Sequence, residues 1–464
     1  NEMQTRGALA HCDACSHRQE DTPYVPALQK NFGMQATFTR LMKMRQSFQK
    51  AKVPLYILVV VAIHLLAVVN VWNLSRDMIY GDHSAEQLIP MPRNKIMRVP
   101  DNDLTRQYEA QNRIAADFAQ IYFPSRNLSL PAYTRESTDP WHRPSRYAPV
   151  LHKICAATIC KLDYGPASAL HILIQLTLFY VSFLYVFKIL HIGRHVIFGI
   201  TLANACLFLT PVGLSWFERG QYTLYVSIGY LWLFLGLMHR NYFYIVVSAI
   251  FSYIKLTSLP FVFVVLCLRL IYSRNRETLM QGLKLSMVYG VTTLLLFMVN
   301  FDDGVDFLSG VYTQEIRSSP DGISMAFVLP TYVIKGLPLL LVALGYALAL
   351  RCKRNYISVY PFLIGACILL LLYPTKAYDY NIPSLLIFVP FTIWWAGLPQ
   401  HQPGHSAQFI KHLFFLFLIV SSYLTIMNPQ QSANSHLVFL GFGTIFILAP
   451  FFSSTSGPTV KQLE

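Results

Sequence analysis

The chain of 464 residues is 54% hydrophobic and 14% aromatic, and only 13% of it is charged. Soluble domains carry about a quarter charged residues, so this composition excludes a disordered chain, a disulfide-stapled small domain and an ordinary soluble enzyme. The apolar residues come in blocks close to the roughly 20 that span a bilayer, which leaves an all-α polytopic membrane protein. A net charge of +14 reads as a topology signal, because the basic residues sit between apolar blocks. No basic patch with interleaved aromatics points to nucleic acid.

Taken in chain order, residues 1–53 read as a basic cytoplasmic segment without the apolar core of a signal peptide. Cys12 and Cys15 form a CxxC flanked by His11 and His17. That is half a zinc site, and structural zinc takes four ligands, so no metal is expected. Cys155, Cys160, Cys206, Cys267, Cys352 and Cys367 lie in or beside apolar stretches and read as small hydrophobes. The first apolar block, 54–74, follows Arg40, Lys43, Arg45, Lys50 and Lys52, which puts the N-terminus inside. His64 within it reads as a packed helix residue. Residues 75–146 then form a long first outer loop, of a size that usually carries function or disorder.

Later blocks fall at 165–190, 195–215, 222–238, 242–254, 257–272, 285–300, 326–350, 357–373, 381–398, 410–427 and 435–452. With the first they predict a bundle of about twelve transmembrane helices. The short pair 242–254 and 257–272 reads as a broken hairpin, tolerated where irregular backbone lines a protein cavity. Charge fits this parity. Lys188, Arg194, Arg240, Arg269, Arg274, Arg276, Lys284, Arg351, Lys353 and Arg354 fall in inside connections. Asp302, Asp303, Asp306, Glu315 and Asp321 fall in an outside one, and residues 453–464 become a cytoplasmic tail.

With that topology the unusual polar residues gather at the outer ends of the spans, where ionisable groups mark function more often than ornament. Asp117, in AADFAQIYFPS, reads either as a base for a substrate hydroxyl or as a helix residue paired with Arg113. Arg143 and Arg146 lie in a stretch broken by Pro140, Pro144 and Pro149. Their guanidinium forks match phosphate oxygens, with headgroup anchoring as the rival reading. Residues from Ala148 onward are amphipathic enough to lie along the interface. Glu218, Arg219, Gly220 and Gln221 form a tight turn in which Gln221 either meets a sugar hydroxyl or satisfies backbone. Lys255, in SYIKLTSLPF, stands in the middle of an apolar stretch. It needs a partner or water there, and reads as a phosphate-binding point charge or as a snorkelling lysine. Lys376, Tyr378 and Asp379 occupy a late outer turn, to close the cavity or join an aromatic belt.

In this order the pieces resemble the GT-C superfamily of membrane glycosyltransferases, and within it glycosyltransferase family 87, the polyprenol-phosphate-mannose-dependent mannosyltransferases. Asp117-Phe118 with Tyr122-Phe123 is similar to the family's acid and aromatics after the first span. Arg146-Tyr147-Ala148-Pro149 resembles its Tyr-Pro-Pro stretch, and Gly220-Gln221-Tyr222-Thr223 its Gly-Gln-x-Asn turn. Lys255-Leu256-Thr257-Ser258, with Pro260, resembles its Lys-Leu-Thr-x-Pro hairpin. The chain departs at Thr223, at the shifted proline, and at Tyr378 and Asp379 where the family often has a histidine. The likeness covers residues 55–400.

What the resemblance implies is a multi-pass enzyme of the inner cell membrane with its active site on the outer, periplasmic face. It would move a sugar, mannose by the family's habit, from a polyprenyl-phosphate donor to a glycan or glycolipid acceptor, with inversion and without metal or other cofactor. Asp117 would be the general base. Arg143, Arg146, Lys255 and Lys376 would hold the donor phosphate, and Tyr122, Glu218, Arg219, Gln221, Tyr378 and Asp379 would position sugar or acceptor. A transporter or lipid flippase is the alternative of another class; it would usually show repeated broken helices, and only one such hairpin is visible. Asn73-Leu74-Ser75 and Asn127-Leu128-Ser129 are glycosylation sequons, meaningful only in a eukaryotic secretory membrane.

Overall fold

The computed structural model describes residues 32–88, 96–129, 131–134, 137–299, 301–317, 321–322, 324–325, 329–351, 359–374, 376–377, 379–398, 405–424 and 429–452. The CxxC with its histidines, Cys352, Tyr378 and the expected tail at 453–464 lie outside them, as do the side chains of Lys376 and Asp379. Two compact units divide the chain at Val59, and the site described below belongs to the second, Val60–Glu464.

The architecture is all-α. A long first helix, α1 (Phe32–Tyr80), is followed by short helices α2 (Ala85–Leu88), α3 (Asp103–Gln107), α4 (Ala116–Arg126) and α5 (Pro149–Ala157). Then come α6 (Tyr164–Ile189), α7 (Val196–Phe208), α8 (Pro211–Arg219), α9 (Thr223–His239), α10 (Tyr242–Tyr253), α11 (Leu259–Ile271), α12 (Arg276–Met298) and α13 (Phe301–Arg317). The chain closes with α14 (Thr331–Arg351), α15 (Tyr360–Leu371), a 3-10 run Asp379–Ile387, α16 (Phe388–Ala396), α17 (His405–Leu424) and α18 (Pro429–Phe452). The strand content of the described residues is a two-residue parallel bridge, in which Asp321 stands opposite Lys376.

Among the described residues five helices are long and apolar enough to cross a membrane: Leu55–Tyr80, Tyr164–Ile189, Arg276–Met298, Tyr332–Arg351 and Ser406–Tyr423. A sixth span is possible by length and composition if Gly193–Phe208 and Pro211–Arg219 count as one, although they meet at 69°. The single crossing expected at 195–215 is therefore broken. The cause is local: Thr210 caps Gly213 N–H at 3.2 Å and Pro211 opens the new helix, both of them helix-start signals. Residues 223–239, 242–253, 256–271, 360–371, 381–396 and 437–451 form shorter apolar helices.

Burial runs in the sense a lipid-solvated bundle requires. Helix α9 is buried on nearly every face, as is α15. Leu55, Leu58, Leu65, Val68 and Trp72 on α1, and Met287 and Leu295 on α12, point outward. Helix α9 packs on α10, α6 and the 3-10 run; α10 also packs on α12, α11 on α14, and α15 on α18. The backbone breaks between α10 and α11 at Lys255, which has an extended conformation before a 3-10 turn at Leu256–Ser258. That break is where the sequence predicts it.

One sequence expectation is overturned outright. Cys155 and Cys160 are not separate packing residues but a disulfide, with Cα atoms 5.0 Å apart. Helix α5 ends at Ala157, and the 3-10 turn Ile159–Lys161 folds the second cysteine back onto its last turn. Cys206 and Cys367 are free and buried, as small hydrophobes are.

Candidate functional site

The turn at 218–221 and the start of α4 build each other. Gly220 caps α8 in the left-handed region at φ +65°, which glycine adopts without steric cost. A Cβ there would stand 2.9 Å from the Ala115 Cβ and 3.1 Å from the Phe118 Cβ, so only glycine lets the turn lie against the beginning of α4. Ala115, itself at φ +76°, donates its N–H to the Glu218 carbonyl at 2.7 Å and accepts from Tyr164 Oη at 2.6 Å. Asp117 and Gln221, 104 positions apart in sequence, are brought together by this contact.

Asp117 is buried. Its Oδ2 accepts from Gln221 Nε2, and its Oδ1 accepts from Arg143 Nη1 and from Gln120 Nε2, each at 3.3 Å. The expected ion pair with Arg113 is not formed; Arg113 reaches the Ile79 carbonyl and Glu109 instead. Arg143 is the true partner, and it is closely held. Its Nε and Nη2 donate to Asp139 at 2.9 Å, its Nη2 also donates to the Ala116 carbonyl at 2.5 Å, and its guanidinium lies 4.3 Å from the Trp141 ring. Burial works against the Arg143 charge, but the hydrogen bonds and field of Asp139, and then the field of Asp117, leave its pKa raised.

Gln221 is the hub. Its Oε1 accepts from Lys255 Nζ and from Tyr147 Oη, both at 3.4 Å. An ammonium can only donate, so the amide oxygen faces Lys255 and the amide N–H₂ must face Asp117. Lys255 Nζ also donates to Asn381 Oδ1 at 2.9 Å, and Thr223 Oγ1 donates to the same oxygen at 3.3 Å. The connection between α15 and α16 thus enters the site through Asn381, two residues beyond Asp379. Rings pack beside this network: Tyr222 lies 4.4 Å from Tyr147 and 4.3 Å from His171, and His171 stacks on Phe118 at 4.9 Å.

Arg146 is half-buried next to Tyr147, close enough for its charge to act on Lys255. It makes no hydrogen bond or ion pair among the described residues. Behind Lys255 a cavity of about 30 Å³, room for ordered water, is lined by Thr223, Tyr230, Thr257, Phe261, Asn381 and Ser384 among others. The Ser384 Oγ is buried there without a hydrogen-bond partner among the described residues.

Other expected residues are placed differently. Glu218 accepts from the Met97 N–H at 3.0 Å and pairs with Arg219 at 3.4 Å, beside the Asp117 network. Tyr122 is fully buried in a cluster with Tyr108, Phe118, Phe123 and Tyr164, and its hydroxyl donates to the Leu162 carbonyl at 2.8 Å. It is part of the packing under α4. Asn381, Asp139 and Met97 are residues of the site that sequence reasoning misses. Comparison with models of protein families, with curated proteins and with solved structures finds no match.

Proposed function

We propose that the protein is an integral-membrane glycosyltransferase of the GT-C type. It moves a sugar, mannose on the family resemblance, from a polyprenyl-phosphate donor to a glycan or glycolipid acceptor at the outer face of the membrane. The observation that supports this reading is the joining of a buried carboxylate, Asp117, to a half-buried ammonium, Lys255, through the one amide of Gln221, with the Arg146 guanidinium, unpartnered among the described residues, alongside.

The chemistry follows from these groups. Asp117 has lone pairs beyond the three that Gln221, Arg143 and Gln120 engage, so it can accept the proton of an acceptor hydroxyl. That oxygen attacks the anomeric carbon, the bond from this carbon to the phosphate oxygen breaks, and polyprenyl phosphate leaves with the bonding pair. Attack opposite the leaving group inverts the centre. Arg146 and Lys255 meet the charge that grows on the phosphate, the kind of fixed electrostatic stabilisation that contributes most when water is excluded. Arg143 acts one step back, holding Asp117 in place while Asp139 holds Arg143. The turn carrying Lys376, Tyr378 and Asp379 contributes to the donor and sugar side. About twelve crossings, counting the shorter helices and the bent pair, would place all of these groups on one face.

The test uses purified protein in lipid with radiolabelled polyprenyl-phosphate-mannose, nucleotide sugars in parallel, and membrane lipid extract as acceptor. Label is expected to move from the lipid donor only. Asp117→Asn should leave membrane insertion intact and lower transfer by about 10²–10⁴, the usual worth of a general base. Labelled lipid that crosses the bilayer without transfer would overturn the enzyme in favour of a flippase.

A further inference from the structure

Helix α13 follows the last turn of α12 and presents three different faces. Gly304 and Phe307 are buried against the protein. A Cβ on Gly304 would stand 2.7 Å from the Phe297 ring, and the Phe307 ring lies 5.4 Å from that of Tyr133. Asp302, Asp303 and Asp306 are exposed on a second face. Phe301, Val305 and Leu308, spaced i, i+4 and i+7, form the third, and these apolar side chains are 51%, 46% and 45% exposed. At the 3.6-residue period the apolar stripe and the three acids are centred about 140° apart around the helix.

The stripe continues a row on the preceding helix. Met287, Val291, Leu294 and Met298 repeat the same spacing along α12, and all four are exposed. Helix α12 is long and apolar enough to cross a membrane, so this row faces lipid. The Phe301 ring meets the Phe297 ring edge-on at 5.7 Å, and the α13 stripe therefore begins where the α12 row ends. Apolar surface this continuous marks an interaction surface. Charge narrows the partner. Residues 301–316 contain no Lys or Arg, and the carboxylates of the second face need water. A helix that offers hydrocarbon on one side and carboxylates on the other fits the boundary between the two.

We propose that α13 is a membrane-surface helix. Phe301, Val305 and Leu308 dip into the headgroup–acyl boundary at the end of the bundle that holds the site, while Asp302, Asp303 and Asp306 stay in water. Phe307, on the inner face, ties this helix to Tyr133. Tyr133 Oη donates to the Tyr147 carbonyl at 3.1 Å, and Tyr147 Oη donates to Gln221. The seat on the lipid thus sets the height of the loop that carries Arg143 and Arg146. With no basic residue before Arg317, the helix is held by apolar burial and not by attraction to anionic headgroups, so neutral phosphatidylcholine suffices. The inference concerns the partner surface and holds whether or not the site transfers sugar.

Nitroxide labels at Val305→Cys and Leu308→Cys, and at Asp302→Cys and Asp306→Cys, test this in the full chain held in phosphatidylcholine nanodiscs. Every native cysteine except Cys155 and Cys160 is replaced by alanine. Power saturation reads the collisions of each label with oxygen, which concentrates in lipid, and with a water-soluble nickel chelate. The Val305 and Leu308 labels are expected to meet nickel about tenfold less often than the Asp302 and Asp306 labels while still meeting oxygen, the mark of an apolar face sunk in the boundary. Leu308→Trp, made without any cysteine change, gives a second reading: its added emission should be quenched by brominated phosphatidylcholine and spared by aqueous iodide. Equal nickel access on both faces would leave the stripe in water and overturn the proposal. Exclusion of both oxygen and nickel from Val305 and Leu308 would overturn it as well, because a second copy or another part of the chain would then cover the stripe.

Discussion

Gln221 shows how one side chain can fix the direction of another. With Lys255 and Tyr147 both donating to its oxygen, its amide has a single way to face Asp117, and rotation would oppose two N–H groups to an ammonium. His152 makes a different point at the same scale. It is buried on α5, its Nε2 is 3.1 Å from Ser145 Oγ, and burial pulls its pKa from 6.5 down to about 4. The folded protein resists a proton that the unfolded chain accepts. The stability due to neutral His152 is whole above pH 6.5 and is lost as the pH falls toward about 4, a difference on the order of 3 kcal/mol. Carboxylates titrate over the same range in any variant, so the comparison with His152→Gln isolates the histidine. The melting temperature of His152→Gln should fall less steeply between pH 7 and 4.5 than that of the parent; parallel slopes would show that His152 charges without cost.

At the scale of elements, the site depends on one close approach, the α8 turn against the start of α4. Gly220→Ala places a side chain where φ is +65° and where the Ala115 Cβ stands at 2.9 Å. The left-handed conformation alone costs about 1–2 kcal/mol, and relief of the contact must move α4, which begins one residue before Asp117. Thermal unfolding should show that loss, and transfer should fall further than the loss of folded protein explains; full specific activity in the folded fraction would detach the turn from the site. Much of this was legible in the chain. Asp117 and Gln221 stand out as polar residues at the edges of apolar blocks and Lys255 as a charge in the middle of an apolar stretch, and the structure brings them together. Asn381 does not stand out, because an asparagine before Ile-Pro looks like any turn residue until Lys255 is found beside it. The Cys155–Cys160 pair was hidden by apolar neighbours, which make a bridged cysteine look like a packing one. The break in 195–215 was written in Thr210-Pro211, but the unbroken hydropathy around it outweighed the cap.

Across the whole molecule, the direction of the helices separates two kinds of charge. Helix α6 starts at Tyr164, bound to Ala115 beside the site, and ends at Ile189 next to Lys188. Its 26 residues span about 39 Å, enough to cross a hydrocarbon core. Helix α9 likewise starts at Thr223, in contact with Asn381, and ends at His239 before Arg240. Helix α11 starts just after Lys255 and carries Arg269 in its last turn. The site therefore lies at one end of these helices and the basic residues at the other. If the basic ends face the cytoplasm, as the positive-inside rule has it, the proposed site faces outward, where a disulfide such as Cys155–Cys160 would also be at home. Two exposed positions report on this. Asn127, at the end of α4, belongs to the site end, and Arg240 to the basic end. In intact cells a membrane-impermeant maleimide should label Asn127→Cys above the parent background, and label Arg240→Cys only after the membrane is opened. Labelling of both from one side would mean that α9 does not cross, and a base at Asp117 would then have to meet its lipid donor from a bundle with fewer crossings than the charge pattern requires.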